Sequence, residues 1–306
     1  IDQYNFCEAI GKSGKEPILV LKEINTENYL GGVLAIAKNL YQFSKNITIL
    51  SMIGEKREFL KEIKQGLPKN IKTKFFTKKN SPTIIKKRFV DNISNSKVLG
   101  VYNLNDDYLN NNELEIFNDY LKKEIRKFDL VIVSDYGHGL ISQSSAKIIC
   151  KNSKFLALNA QVNAFNIGYH TMKNYVDFNT LIINEKEIRH EMRDKVGKVE
   201  DLMFTLAKER KVKNLIVTKG SSGSVLYNTE FNKFFSAEAY ATKVVDKIGA
   251  GDTMLSLIGL CLKMKMDCDL TLLMSSLGAA QSVESLANKD TINKINMLKT
   301  LENIFK

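Results

Sequence analysis

The chain has 306 residues, 44% of them hydrophobic, which is enough to bury the core of one large domain or two small ones and argues against disorder. Its 45 Lys and Arg exceed 34 Asp and Glu for a formal charge of +11, yet the lysines are spread through almost every segment with no aromatic-interleaved basic stripe. A solvated lysine surface is therefore expected and a nucleic-acid partner is not; no apolar run reaches the roughly 20 residues of a membrane span, so a soluble, cytoplasmic protein without a membrane partner is expected.

In chain order, residues 5–30 read as short strands. "AIAKNLYQF" has a helical period and "NITILSMIG" (46–54) is a continuous apolar strand. Residues 82–104, "PTIIKKRFVDNISNSKVLGVYNL", read as a hairpin turning at the polar "DNISNS". Beyond it, helical "LEIFNDYLKKEIRKF" leads to the strand "FDLVIVSDYGHG" (128–139), helical "SSAKIIC" to "KFLALNA" (154–160) and then "NTLIINEKE" (179–187), and helical "VEDLMFTLAKERKV" to "NLIVTKGSSG" (214–223). Strands that are apolar throughout, alternating with helices, predict an α/β doubly wound fold with a mostly parallel sheet covered on both faces. Segments 5–30 and 82–104 interrupt that rhythm and predict a small β-sheet lid off the main sheet.

The predicted strands end in polar or glycine residues: Ser134, Asp135, Tyr136 and Gly137, then Asn159, then Asn184 and Glu187, then Thr218, Lys219 and Gly220. In an open parallel sheet the ligand sits outside the carboxyl ends of the strands, so these residues are expected to line one cleft. "VVDKIGAGDTMLSLIGLCL" (244–262) runs through Gly249, Ala250 and Gly251 into an apolar helix, placing unobstructed backbone N–H groups at the positive helix end, where an anion binds. Asp252 just behind them serves either chemistry or as a capping acid. Asn184 and Glu187 equally suit a helix-capping pair. Lys86 and Arg88 share a strand face and are either lid-surface charges or a phosphate clamp. Cys7, Cys150, Cys261 and Cys268 show no CxxC or metal-ligand spacing and suit reduced thiols; His138 and His170 read as loop histidines, and "RHEMRD" around His190 is not a zinc motif.

The motifs "DKIGAGD", "NEKE" and "TKGSSG" match, in order, the D-x-x-G-A-G-D, N-x-x-E and T-x-G-x-x-G of the PfkB (ribokinase-like) carbohydrate kinases, and the chain resembles that family over nearly its whole length. "SDYGHGL", "PTIIKKRFV" and the opening "IDQYNF" with "GKSGKEPILVLKE" are most similar to the kinase domain of bacterial heptose-phosphate kinases of the heptose 7-phosphate kinase/ADP-heptose synthase type. The resemblance implies one kinase domain over 1–306 that transfers phosphate from ATP to a sugar or sugar-phosphate hydroxyl for cell-envelope sugar-nucleotide synthesis. Asp252 would be the base, with the amides of Gly249, Ala250 and Gly251 holding developing charge. Asn184 and Glu187 would organise Mg²⁺, Glu187 through water, with Thr218, Lys219, Gly220, Gly223 and Asp246 on the cofactor side. Asp2, Gly31, Gly32, Lys86, Arg88, Asp135 and Asn159 would face the sugar. A monovalent cation is a further option.

Departures from the family pattern concern the sugar end. "GGVLAI" has no Asn where G-G-x-x-x-N would place it, leaving Ala35 or a neighbour there, and "LNAQVNA" offers Asn159, Gln161 and Asn163 where the heptose kinases carry an acid. In the family a first strand and its Gly-Asp turn precede the position of Ile1, and a fused or partner nucleotidyltransferase domain is common, so a longer polypeptide is expected. A non-catalytic sugar- or nucleotide-binding module remains the alternative, as does a nucleoside kinase using Tyr4, Phe6 and Tyr29 to stack on a base. Lid strands with open edges suit a homodimer through the lid.

Overall fold

The computed structural model describes residues 1–163 and 165–306. In chain order its elements are β1 (Asp2–Lys12), β2 (Leu19–Tyr29), α1 (Val33–Leu40), β3 (Ile47–Gly54), α2 (Leu60–Gly66), β4 (Ile71–Lys78), β5 (Ile85–Asp91) and β6 (Lys97–Asn103). There follow α3 (Asn111–Glu124), β7 (Val131–Asp135), α4 (Gln143–Asn152), β8 (Leu156–Ala160), β9 (Phe178–Asn184), α5 (Glu185–Met192), α6 (Val199–Arg210) and β10 (Val212–Thr218). The chain closes with β11 (Ser224–Asn228), β12 (Lys233–Ala237), α7 (Ala250–Lys263), α8 (Cys268–Val283) and α9 (Lys294–Ile304).

The main sheet has the order β12-β11-β10-β9-β8-β7. Strands β7 to β10 are parallel, and β11 and β12 add antiparallel to the β10 edge. Successive strand side chains alternate between faces, and here both faces are covered. Leu181, Ile183, Leu215 and Val217 pack with Leu121 of α3, Ile149 of α4, Ile188 of α5 and Leu206 of α6. Their neighbours Ile182 and Ile216 pack on the opposite face with Ile36 of α1, Leu255 and Ile258 of α7 and Leu272 of α8. This two-sided burial is why the strands read as unbroken apolar runs.

Two antiparallel hairpins, β1–β2 and β5–β6, join through a parallel β1–β5 pairing into a lid of order β2-β1-β5-β6. The β5–β6 turn is shaped by Asp91, whose carboxylate accepts from the backbone N–H groups of Ile93 and Ser94. The strand over 47–54 does not join the main sheet: among the described residues β3 pairs, in parallel, with β4 alone. β3 and β7 are thus each terminal in their sheets, and both line one continuous cavity of about 1000 Å³, β3 through Thr48, Leu50 and Met52 and β7 through Val131, Ile132 and Val133. β4 and β12 are not legible in the sequence because "IKTKFFTK" mixes lysines into an edge strand and "KFFSA", also at a sheet edge, is mostly exposed; β11 is a further strand that the sequence reading leaves out.

Leu181 is fully buried at the centre of the sheet, so Leu181→Ala is expected to cost about 2–5 kcal/mol of stability, read as a lowered midpoint in urea unfolding.

Candidate active site

Helix α7 begins at the small-residue turn. Gly249 has φ 94°, and a Cβ there would lie 2.2 Å from Asn288 Oδ1, so both conformation and space demand glycine. Among the described residues no side chain caps this helix start, and Asp252 does not turn back onto it. Instead Asp252 Oδ1 accepts a 2.7 Å hydrogen bond from Tyr136 Oη, while its other oxygen has no protein partner among the described residues. Burial pushes the Asp252 carboxyl up to about 6; the Tyr136 bond opposes that shift, Asp2 adds to it, and Lys86 opposes it.

Tyr136 leaves the end of β7 and lies against Gly32, where a Cβ would come within 3.2 Å of its ring. Lys86 Nζ sits 5.0 Å from the Tyr136 ring centroid, and the His138 ring stacks at 6.2 Å. His138 is therefore not a surface-loop histidine: it is buried, both ring nitrogens lack a partner among the described residues, and burial together with Lys86 lowers it to about 4.

Asp2, Gly31, Gly32, Lys86, Arg88, Asp135 and Asn159 line the same cavity as Asp252. Asp2 Oδ1 pairs with Arg88 Nη1 at 2.6 Å, and Gly31 leaves room for that carboxylate, since a Cβ there would fall 1.9 Å from Asp2 Oδ2. Lys86 has no carboxylate partner among the described residues, and burial lowers its pKa. Asp135 faces its own scaffold: Tyr175 Oη donates to it at 2.7 Å and the Gly137 N–H at 3.0 Å. Asn159 donates to the Ile182 carbonyl at 2.7 Å. Ala35, where the family motif would place an amide side chain, is buried.

On the other side of the cavity, Asn184 and Glu187 form a reciprocal capping box at the start of α5. The Asn184 N–H donates to Glu187 Oε2 at 2.8 Å and the Val162 N–H to Oε1 at 3.3 Å. Burial pushes Glu187 up to about 7 against these bonds. Thr218, Gly220 and Gly223 line this side, and Gly223, at φ 80°, passes so close to Ala237 that a Cβ would lie 2.0 Å from its carbonyl. Lys219 turns toward Glu200, 3.5 Å away. Asp246 also lies outside the cavity wall: Lys97 Nζ and the Ile248 N–H take its Oδ1, and Tyr4 Oη and the Ala287 N–H take its Oδ2. Among the described residues no group of three His, Cys, Asp or Glu is placed to hold a metal ion.

The link between Tyr136 and Asp252 spans 116 residues and leaves no local signal in the sequence. Lys97 is hidden there among many lysines. Tyr4 and Tyr29, two of the aromatics suited to base stacking, are buried edge-to-face on each other at 5.4 Å, with Phe6 packed against their cluster, which removes the aromatic support for a nucleoside acceptor. No helix among the described residues is long and apolar enough to cross a membrane.

The chain is 26% identical over 267 residues to the bifunctional protein HldE of Campylobacter jejuni (strain RM1221), covering 86% of this chain and 54% of that protein. It is 25% identical over 262 residues to the protein of the same name from a Nitratiruptor species, covering 85% and 54%. The chain thus spans about half the length of these curated relatives. Phosphofructokinase-2 from Escherichia coli, in complex with potassium, superposes with a TM-score of 0.79 at 13% identity, covering 100% of this chain and 96% of that one. Arabidopsis thaliana ribokinase, complexed with ribose and ATP, does so at 0.70 and 18%, covering 98% and 95%. The family model described as "pfkB family carbohydrate kinase" matches residues 1–293, and the chain belongs to that family.

Proposed function

We propose that the chain transfers a phosphoryl group from Mg²⁺-bound ATP to a hydroxyl of a sugar or sugar phosphate, with Asp252 as general base. The observation that carries this reading is a carboxylate with one free oxygen, oriented by Tyr136 beside an uncapped helix N-terminus. A carboxyl near pH 6 is matched to accepting a proton at neutral pH. That free oxygen takes the proton of the attacking hydroxyl, and the amides of Gly249, Ala250 and Gly251 hold the charge that develops on the transferring group. Mg²⁺-ATP would supply the phosphoryl group, its divalent ion offsetting phosphate charge.

Thr218, Gly220 and Gly223, with Lys219 at the margin, line the nucleotide side. Glu187 and Asn184 would hold the metal through water: a carboxyl pushed up to about 7 by burial is one that a nearby divalent cation with few direct protein ligands would keep ionised. Asp246 acts from behind the turn rather than on the cofactor. Asp2 with Arg88, Gly31, Gly32, Lys86, Asp135 and Asn159 shape the acceptor end, with Lys86 free to meet an anionic group on the sugar. The HldE relatives and the motif resemblance support a heptose-phosphate-like acceptor, cytoplasmic action in cell-envelope sugar-nucleotide synthesis, and a fused or partner nucleotidyltransferase. Exposed Leu99 and Val101 on β6 support a homodimer through the lid. The unpaired edges of β3 and β7 support one further strand between them, of the kind the family resemblance places ahead of Ile1.

ADP release measured with Mg²⁺-ATP across heptose phosphates, hexose phosphates, free sugars and nucleosides is expected to show turnover on a sugar class, with Asp252→Asn slower by on the order of 10²–10⁴-fold. Absence of turnover on every sugar with ATP binding intact sinks the kinase reading. Tyr136→Phe removes a bond that favours the charged base, so the acid limb of the kcat/KM profile is expected to move to higher pH. Asp252 binds its proton more tightly folded (about 6) than unfolded (3.8), so its contribution to stability falls as pH rises through that interval. The melting temperature of Asp252→Asn relative to the parent is therefore expected to climb from about pH 4 to about pH 7, and a flat difference would contradict the assigned environment.

A further inference from the structure

The most heavily bonded carboxylate near the small-residue turn is not the base but Asp246. Its side chain is 1% exposed and receives four protein donors from three parts of the molecule. Lys97 Nζ at 2.5 Å comes from β6 and Tyr4 Oη at 2.6 Å from β1, both in the lid. The Ile248 N–H at 3.1 Å belongs to the turn itself, and the Ala287 N–H at 3.2 Å to the segment after α8. That segment also carries Asn288, which touches Gly249 from the other side, and the last residue of α8, Val283, has a carbonyl that accepts from the N–H groups of Val245 and Asp246.

We propose that Lys97 is a positioning residue: its ammonium is a built-in cation that neutralises Asp246 and, through it, fixes the Gly249–Gly251 amides while clamping the lid to them. A buried carboxylate without a counter-charge is costly, so the ordered turn depends on that cation. Tyr4 lies beneath it, with Lys97 Nζ 5.6 Å and Arg88 5.5 Å from the ring centroid, so the lid reaches the turn through a charged and an aromatic contact at once. A monovalent cation, the option left open by the family resemblance, does not fit at Asp246, because each of its oxygens already accepts from two protein donors and an ammonium stands against one of them. The consequence is a phosphoryl-transfer turn that requires no added monovalent ion and is complete only when the lid is docked. This inference rests on the proposed kinase reading for its effect on turnover, but not for its effect on the turn.

The test compares the parent with Lys97→Met and Lys97→Arg in a tetramethylammonium background, with and without potassium or ammonium. Hydrogen exchange of the segment 244–252 is read first, without sugar or nucleotide, so the turn is tested even if the chain phosphorylates none of the sugars offered. Faster exchange in Lys97→Met, slowed again by ammonium and absent in Lys97→Arg, is the expected result. With a sugar that turns over, Lys97→Met is expected to lose kcat by on the order of 10²-fold through misplaced amides, with KM for ATP little changed and partial rescue by ammonium or potassium. Unchanged exchange in Lys97→Met, or a parent kcat that rises several-fold on adding potassium, overturns the proposal.

Discussion

The hydrogen bond from Tyr136 to Asp252 is the contact on which the rest of the site depends, because it joins the end of β7 to the start of α7 at the carboxylate proposed as the base. A buried carboxylate at a helix start would ordinarily turn back to cap the helix. Here the tyrosine holds it outward, which leaves the first-turn amides uncapped and one carboxylate oxygen uncommitted. Gly32 lets the Tyr136 ring lie close against the backbone, and Gly31 lets Asp2 reach Arg88. The two glycines therefore accommodate two different side chains while both line the cavity.

Much of this is legible in the sequence because it is local. The small-residue turn, Asp252, the Asn184–Glu187 spacing and the unbroken apolar strands each follow from neighbours within a few residues, and all reappear in the fold. What stays hidden depends on distance in sequence. Lys97 and Tyr4 reach Asp246 from 149 and 242 residues away, and nothing around a strand lysine marks it as a buried ion's partner. His138 reads as a loop residue between two glycines, yet those glycines, both at positive φ, fold it inward onto Tyr136. The pairing of β3 with β4 alone is equally invisible, since strand order is decided by packing rather than by composition.

The two ends of the cavity differ in how tightly their polar atoms are committed. On the proposed nucleotide side the capping box and the Val162 N–H consume one bond from each Glu187 oxygen, but carboxylate oxygens accept more than one, so the group remains available. On the proposed acceptor side Asp135 and Asn159 are tied to Tyr175, Gly137 and Ile182, whereas Lys86 and His138 are untied among the described residues. Under the proposed function, discrimination among acceptors would fall mainly to the half-buried Lys86 ammonium and the buried, neutral His138 imidazole, groups that reject a ligand leaving them unpaired.

The separation of β3 from β7 gives the molecule a seam. Among the described residues no ladder hydrogen bond crosses it, so β3 and β4 are tied to the six-stranded body by side-chain packing such as Ile36 and Leu40 of α1 against the α7 face, and by the Asn39–Thr253 bond. Packing of that kind yields locally before a hydrogen-bonded sheet does. Among the described residues, sub-global opening would therefore run along this line, parting the cooperative body built from β7 to β12 from the β3–β4 pair, and a strand paired to both edges, of the kind proposed above, would close it.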